Sequence, residues 1–388
     1  MPSTFQSNTQ MPNDELAQSS GAPGAPFIYV ICQNGAEAAT KLEIMKNYNS
    51  LNLAFSRPGF ITFKLDPVNP LPQRFVLRST LARTYGWSLG RVIGEQACDM
   101  VAQISADPKF SEAKNIHVWQ RDPVMPGRNG FEPGVSPLAR EIGELFEQTE
   151  IGRRNNLVAN RESKPDAFVF DVVMVEPNQW WFGYHFANTV AGRWPGGTPL
   201  LDTSIETYSR AYFKLKEALL WSGIVIHPGD RCAEIGSAPG GASQLLLELG
   251  AHVMGVDPAE MESGVAEHEN FRHIRRRGSE VRKRDFRDVR WLLADLNMDP
   301  SYTLGNVAEI VKHDAVDVKG LILTLKLSDW KLVGGIPDLI AETKKLGFQV
   351  VKVRQLAFNR QEFCLVAAKD KFLLRKGKQP RAASSQKK

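Results

Sequence analysis

The sequence predicts a mixed α/β chain whose C-terminal half is built around a mostly parallel sheet with an antiparallel last strand. Three observations support this class. A glycine-rich turn separates a buried strand from a helix, the next strand ends in an acid, and later apolar strands end in charged side chains. The first 200 residues have shorter strands and a different spacing, which predicts a separate α+β region ahead of this sheet.

The glycine turn lies between a predicted strand at 230–235 and a predicted helix at 242–249. Its residues are Gly236, Ser237, Ala238, Pro239, Gly240 and Gly241. Asp257 follows the next strand, where nucleotide-binding folds place a carboxylate that holds a ribose. Such a turn can simply close a tight corner, but together with this acid it favours a nucleoside-bearing cofactor. The spacing differs from the dinucleotide fingerprint, and no Walker lysine follows it.

Four charged residues are expected along one edge of the predicted sheet. Asp295 and Lys326 end apolar strands, Lys214 lies on a helix just before the first strand, and Glu362 opens the last strand. Ligands of open α/β sheets bind outside the carboxyl ends of the parallel strands. Residues 349–355 read as one more parallel strand, and a hairpin after them returns Glu362 to the same edge. Each charge alone is typical of a solvated strand end, whereas the set predicts a site.

These motifs resemble the FtsJ family of methyltransferases, which use S-adenosyl-L-methionine (SAM) to methylate ribose hydroxyls of RNA. The resemblance covers residues 205–370 and includes the Ala-Pro-Gly-Gly turn, the segment 209–215 and the order Lys-Asp-Lys-Glu. It implies that the turn cradles the methionine end of SAM and that Asp257 binds its ribose. It also implies a catalytic tetrad, which comprises Lys214, Asp295, Lys326 and Glu362.

The residue types of the tetrad suit this chemistry. A ribose hydroxyl is a poor nucleophile at neutral pH, so its attack on a methyl group needs a base. We expect Lys326 to be this base if its pKa falls, which burial and the nearby Lys214 promote. Asp295 and Glu362 act in the opposite direction and are expected to orient the lysines, with Asp295 also close to the SAM amino group. This scheme requires no metal.

Length and composition predict several domains in a cytoplasmic protein. The chain has 388 residues, a net charge of +5 and four cysteines without a CxxC pair, which fits reduced thiols rather than a zinc site. No apolar run has membrane-spanning length, and we expect a monomer without membrane contact. Composition predicts a disordered leader (1–24) and a basic tail (371–388), and the strand pattern predicts a ferredoxin-like domain (25–105). Family resemblance implies a THUMP-like RNA-binding region (106–198) and the FtsJ-like domain (199–370).

A dense basic stretch follows the acid of the second strand. Residues 272–290 contain nine arginines and lysines but only three acids. This pattern fits either a solvated helical face or a surface for RNA phosphates, and the resemblance favours the second reading. Asp285 is a candidate for the adenine end of SAM, with Asp288 as its rival.

The N-terminal half shows a βαββ pattern followed by an aromatic strand. Short units of this kind form ferredoxin-like domains. The aromatic residues of 180–186 either stack on bases or, more commonly, pack in a core. Residues 121–134 are rich in Pro, Gly and Asn, which predicts a loop or boundary, and 193–197 predict a linker.

The whole order resembles the RlmM-type ribosomal RNA methyltransferases. This resemblance implies action on a cytidine of large-subunit (23S) ribosomal RNA, with the N-terminal half holding RNA. The sequence departs from the family pattern in three ways: Ala238 replaces a cysteine, Arg277-Gly278 replace an expected acid, and the leader and the basic tail are not part of the pattern. The alternatives are the same chemistry on transfer RNA or a messenger cap, and a catalytically idle RNA-binding module.

Overall fold

The computed structural model describes residues 26–371, which form two sheets with helices around them. The predicted leader (1–24) and all but the first residue of the predicted tail lie outside the described residues. The predicted mixed α/β class is confirmed. Among residues 26–371, no helix has the length and apolar character needed to cross a membrane.

The N-terminal sheet has eight strands in the order β2-β3-β1-β4-β8-β7-β5-β6. The strands are β1 (Phe27–Ile31), β2 (Leu51–Arg57), β3 (Phe60–Leu65), β4 (Thr84–Ile93), β5 (Asn115–Gln120), β6 (Val158–Ala159), β7 (Phe168–Glu176) and β8 (Gln179–Phe186). Neighbouring strands are antiparallel except for the two pairs that β5 forms, with β6 and with β7. Because β4 pairs with β8, one continuous sheet spans the predicted division at residue 105. That division stays a prediction.

The aromatic residues of β8 pack within the N-terminal half. Trp180 and Tyr184 are buried in separate hydrophobic clusters, and Trp181 lies between Phe55 and Phe60 with ring centroids 5.1 and 5.3 Å away. Core packing, the commoner of the two interpretations of this strand, therefore describes these side chains. The expected linker at 193–197 is likewise buried: Trp194 is 4 % exposed.

The C-terminal sheet has seven strands in the order β11-β10-β9-β12-β13-β15-β14. The strands are β9 (Arg231–Ile235), β10 (His252–Val256), β11 (Phe271–Ile274), β12 (Trp291–Asp295), β13 (Gly320–Lys326), β14 (Val350–Arg354) and β15 (Glu362–Ala368). All pairs are parallel except those of β15, which runs antiparallel to β13 and β14. The chain leaves β9 toward β10 on one side and β12 lies on the other, so the turn after β9 is at the topological switch point.

Helices cover both faces of the C-terminal sheet. Helices α8 and α9 contribute Leu304 and Leu339 to one hydrophobic cluster, and α5 and α6 contribute Phe213 and Leu246 to the other. Strands buried on both faces need near-continuous apolar runs, such as Leu-Ile-Leu-Thr-Leu in β13. The helices are α1 (Glu37–Asn47), α2 (Ala97–Ser105), α3 (Pro137–Glu147), α4 (Glu150–Asn155), α5 (Ala211–Ser222), α6 (Gly241–Glu248), α7 (Ser263–Ala266), α8 (Pro300–Val311) and α9 (Ile336–Lys345).

Local sequence signals explain where several helices begin. Ser136 caps α3 by accepting a hydrogen bond from the backbone of Ala139, and Asp299 caps α8 by accepting one from Ser301. In both helices a proline occupies the first turn, where its missing N–H costs nothing. These caps fix the helix starts beside the sheets.

Candidate active site

Strand register brings the four predicted charged residues to one edge of the C-terminal sheet. Lys326 and Glu362 are directly opposite each other on the antiparallel pair β13 and β15. Asp295 ends β12 and pairs with Thr324, two residues before Lys326. Lys214 reaches the same edge from the first turn of α5. The predicted convergence of these side chains is present in the structure.

The four side chains alternate in charge around a closed ring. Lys214 Nζ lies 2.7 Å from Asp295 Oδ2 and 3.0 Å from Glu362 Oε1. Lys326 Nζ lies 2.9 Å from Asp295 Oδ1 and also contacts Glu362 Oε2. Each carboxylate therefore bridges both ammonium groups. Asn359 supports the ring by donating a hydrogen bond to Glu362.

The ring shifts the proton affinities of its members. Burial alone would raise the pKa of Glu362, but the positive charges of Lys214 and Lys326 outweigh it and lower the pKa to about 2. Burial likewise opposes charge on Lys326, yet Asp295 and Glu362 outweigh it, and the pKa of Lys326 is raised. The lowered pKa expected for Lys326 is thus wrong for this structure, because the attraction of the two carboxylates dominates.

The glycine turn after β9 brings the backbone against β12. Gly236 has φ of +81°, and a Cβ added there would lie 2.5 Å from the carbonyl oxygen of Asp295. Only glycine satisfies both conditions. The peptide bond between Ala238 and Pro239 is cis. The positive φ and the close approach at Gly236 let the chain turn sharply and present its backbone beside the tetrad.

The turn and the tetrad line one cavity of about 380 Å³. Gly236, Ser237, Ala238 and Pro239 form one side of it, and all four tetrad residues line it as well. Small side chains on one wall and carboxylates on the other suit a ligand that carries positive charge and needs close backbone approach. The residues present fit SAM, whose amino and sulfonium groups are cationic.

Glu234, the fourth residue of β9, also lines this cavity and was not selected from the sequence. It is 2 % exposed and accepts a hydrogen bond from Ser243 Oγ at 2.6 Å. Burial raises the pKa of Glu234 to about 8, the Ser243 hydrogen bond opposes this, and the negative charge of Asp295 adds to it. An acid inside an apolar strand next to a glycine turn was the signal that could have identified it.

The remaining predicted cofactor residues do not line the cavity. Asp257 follows β10, and its carboxylate accepts hydrogen bonds from the backbone N–H groups of Ala238 at 3.2 Å and Ala259 at 2.8 Å. Gly240 and Gly241 begin α6. Asp285 is further along the chain, where its carboxylate accepts a hydrogen bond from Arg282 at 3.3 Å. A role for Asp285 at the adenine end stays a prediction.

Two arginines from the catalytic half complete the cavity wall. Arg210 and Arg360 line it, and both contact residues 126–132 of the N-terminal half. Arg210 donates to both carboxylate oxygens of Glu132. The segment predicted as a loop or boundary therefore packs against the site.

The basic stretch 272–290 is not a helical face. It consists of β11, two short 3-10 turns and irregular backbone. Some of its side chains are paired with acids, for example Lys283 with Glu309 and Arg290 with Asp230. Four exposed arginines have no ion pair within the described part of the chain: Arg272, Arg276, Arg277 and Arg284.

A second group of buried ionisable side chains lies in the N-terminal half. His117, Asp171 and His185 bring ligand-type atoms within 4.8 Å of one another. Hydrogen bonds already engage both nitrogens of His185, Nδ1 with Asp171 and Nε2 with the carbonyl of Gly192, each at 2.6 Å. Tyr29 donates to the same carboxylate at 2.6 Å. We interpret this group as a hydrogen-bonded core network.

The fold and the site together define a SAM-dependent methyltransferase domain. Residues 207–363 match the family described as FtsJ-like methyltransferase. Residues 207–363 are therefore an FtsJ-like methyltransferase domain, and SAM is its cofactor.

Relatives with similar sequences are named ribosomal RNA large subunit methyltransferase M. The protein of Xanthomonas euvesicatoria pv. vesicatoria is 28% identical over 192 residues, which cover 47% of this chain and 54% of that protein. The protein of Alkalilimnicola ehrlichii is 32% identical over 126 residues, covering 31% and 33%. The chain thus spans about half or less of the length of these two relatives.

Two solved structures overlap with the chain at low TM-scores. The putative hemolysin from Lactococcus lactis is 20% identical with a TM-score of 0.36. The overlap covers 43% of this chain and 90% of the hemolysin chain. The fibrillarin pre-rRNA processing protein of Methanococcus jannaschii is 14% identical with a TM-score of 0.31, covering 51% and 81%. Overlaps at this level carry no argument about function.

Proposed function

We propose that the protein is a SAM-dependent 2'-O-ribose methyltransferase acting on RNA, with a cytidine of large-subunit ribosomal RNA as its target. The observation that carries the proposal is the ring of Lys214, Asp295, Lys326 and Glu362 in the same cavity as the glycine turn. The names of the relatives support ribosomal RNA as the substrate class.

Lys326 is the proposed general base. SAM supplies the electrophilic methyl group when bound. Lys326 accepts the proton of the ribose 2'-hydroxyl through its Nζ, which requires a neutral amine. Additional positive charge bound in the cavity opposes the attraction of Asp295 and Glu362 and so lowers the pKa of Lys326.

The other three residues hold the reacting groups in place. Lys214 keeps its ammonium beside the position of the developing oxyanion, where a fixed positive charge stabilises it. Asp295 and Glu362 each contact both lysines and fix their geometry. The backbone of the glycine turn and the carboxylate of Asp257 orient the cofactor.

RNA is proposed to approach across the two halves of the chain. The exposed arginines between Arg272 and Arg284 supply positive charge beside the site, and phosphate contacts dominate the affinity of such surfaces. The N-terminal half is proposed to hold the RNA, as a monomer in the cytoplasm.

The decisive experiment identifies reaction and substrate together. The protein is incubated with labelled SAM and fractionated cellular RNA, and the labelled nucleosides are identified by mass spectrometry. We expect 2'-O-methylcytidine in the large-subunit ribosomal RNA fraction. Label in transfer RNA or in messenger caps would identify a different RNA substrate. Label on a base would exclude methylation of the ribose, and no label in any fraction would favour a catalytically idle RNA-binding module.

The Lys326→Ala variant tests the assignment of the base. We expect the turnover number to fall at least about 100-fold, because proton transfer loses its acceptor. The SAM dissociation constant, measured by calorimetry, is expected to stay within a few fold. Lys331→Ala, which removes an exposed lysine nearby, is the matched control. Retained turnover in Lys326→Ala would remove this residue as the base.

A further inference from the structure

One of the two guanidinium groups that line the cavity, that of Arg360, is not neutralised by a carboxylate among residues 26–371. Arg360 lies two residues before Glu362, lines the cavity and is exposed. No carboxylate in residues 26–371 forms an ion pair with it. Arg210, which lines the same cavity, is by contrast neutralised by Glu132. Arg360 therefore contributes an uncompensated positive charge to the wall.

The N-terminal half fixes the orientation of this guanidinium. Arg360 Nε donates a hydrogen bond of 2.7 Å to the carbonyl oxygen of Pro126. The next residue, Gly127, has φ of +72°, and a Cβ added there would lie 2.7 Å from Arg360 Nη2. The loop thus needs glycine at this position to approach so closely. With Nε occupied, the Nη groups are the donors left for a ligand.

The backbone of Arg360 is held as firmly as its side chain. Its carbonyl accepts a hydrogen bond from Gln355 Nε2 at 2.8 Å, and its N–H donates to Glu362 Oε1 at 3.4 Å. Glu362 in turn contacts both lysines of the tetrad. The position of Arg360 relative to the reacting groups is therefore set by direct contacts.

From this arrangement we infer that Arg360 binds the phosphodiester next to the ribose that is methylated. The inference rests on the proposed function. In an RNA chain the 2'-hydroxyl is adjacent to the 3'-phosphate, so a hydroxyl at the tetrad carries a phosphate into the same cavity. A guanidinium binds phosphate through two parallel N–H donors, which gives geometry as well as charge. The site then selects a nucleotide inside a chain over a free nucleoside.

The first test compares Arg360→Gln with wild type in steady-state kinetics on the RNA species identified by labelling. We expect the KM for RNA to rise roughly tenfold, because one charge-assisted contact is lost. The slope of log KM against log salt should fall by about 0.7, the contribution of one phosphate contact in a single strand. The SAM dissociation constant should be unchanged.

Arg128→Gln is the matched control. Arg128 is an exposed arginine beside Gly127 in the loop that contacts Arg360, and Arg128 itself does not line the cavity. Equal effects of Arg128→Gln and Arg360→Gln on KM and on the salt slope would mean that Arg360 attracts RNA only through its overall positive charge. That result would overturn the inference. Arg360→Lys keeps the charge without the planar fork, and an intermediate KM is expected for it. This variant also serves if Arg360→Gln fails to fold.

A modified substrate locates the phosphate. RNA with a single uncharged methylphosphonate on the 3' side of the target ribose should raise the KM of wild type about as much as Arg360→Gln does on normal RNA. Arg360→Gln should show no further loss on the modified RNA, whereas losses that multiply would contradict the contact. An active Arg360→Gln variant with an unchanged KM for RNA would contradict this inference alone. A wild-type protein that methylates no RNA would contradict the proposed function.

Discussion

At the scale of single residues, the site combines charged groups whose proton affinities are displaced in opposite directions. Glu362 keeps its negative charge because two ammonium groups surround it, and its pKa is about 2. Glu234 lines the same cavity but forms no ion pair among residues 26–371, and burial raises its pKa to about 8. Two carboxyl groups of one site thus differ in charge at neutral pH because their neighbours differ.

Glu234→Gln is predicted to remove part of the pH dependence of stability. The folded state of wild type holds a proton on Glu234 up to about pH 8, while the unfolded chain releases it near pH 4.5. Its contribution to stability is therefore complete below pH 4.5 and is lost progressively as the pH rises toward 8, at up to about 1.4 kcal/mol per pH unit.

The test is urea unfolding of wild type and Glu234→Gln at several pH values between 5 and 8. We expect the free energy of unfolding of Glu234→Gln to fall less steeply with pH than that of wild type. Ser243→Ala, which removes the hydrogen-bond donor but keeps the acid, should retain the slope of wild type. Parallel curves for wild type and Glu234→Gln would show that Glu234 is ionised throughout this range.

At the scale of elements, the turn between β9 and α6 links the sheet to the cavity. Gly236→Ala is predicted to destabilise the protein by about 2 kcal/mol or more, because it forces a positive φ and a close contact with the Asp295 carbonyl. SAM affinity should fall too, since the turn must shift. Urea unfolding and calorimetry measure the two effects.

Gly305→Ala is the control for that prediction. Gly305 lies inside α8, where an added Cβ meets nothing within 4 Å. Alanine is the better helix former there, so this variant should gain up to about 1 kcal/mol. A Gly236→Ala variant that is as stable as wild type would mean that the turn adopts another conformation.

Elements with strong hydrophobic periodicity and clear turn residues at their ends could be predicted from the sequence. The predicted strand at 230–235 begins one residue before β9, and the predicted helix at 242–249 is shifted by one residue from α6. The tetrad could be predicted because it depends on strand direction, which places strand ends at one edge. Glu234 could not, because its burial and hydrogen bond depend on the packing of α6 against β9.

At the scale of the whole molecule, the two halves are joined by buried hydrogen bonds that sequence patterns do not reveal. Arg354 of β14 donates to the carbonyl oxygens of Arg83 at 3.0 Å and Gly197 at 2.9 Å. Gln33 of the N-terminal half donates to the carbonyl of Asn359 at 2.9 Å. Such contacts join residues far apart in sequence. From the sequence alone, an arginine near the end of a strand is expected to be exposed, so its buried contacts could not be predicted.

These contacts connect the N-terminal half with the cavity. Asn359 hydrogen-bonds to Glu362, and Arg360 is held by Pro126, so two neighbouring residues link the tetrad to the other half. A loop predicted only as a boundary thereby becomes part of the site. The docking of the two halves should affect both stability and the arrangement of the active site.

Arg354→Met is predicted to destabilise that docking by about 3 kcal/mol. Arg354 is 5 % exposed, and burial lowers its pKa to about 10. Because water does not reach the guanidinium, its hydrogen bonds come from protein groups. Removing it leaves the carbonyl oxygens of Arg83 and Gly197 buried without this donor, which costs about 1–3 kcal/mol for each group. Urea unfolding followed by tryptophan fluorescence measures the change.

Lys352→Met separates docking from the general loss of a cation. Lys352 points to the same face of β14, but its Nζ donates to the carbonyl of Ser222 within the catalytic half. We expect this variant to stay within about 1 kcal/mol of wild type. If the interface works as described, only Arg354→Met should also raise the KM for RNA, because only it loosens the loop that orients Arg360. Equal stabilities of the two variants would mean that Arg354 does not hold the halves together.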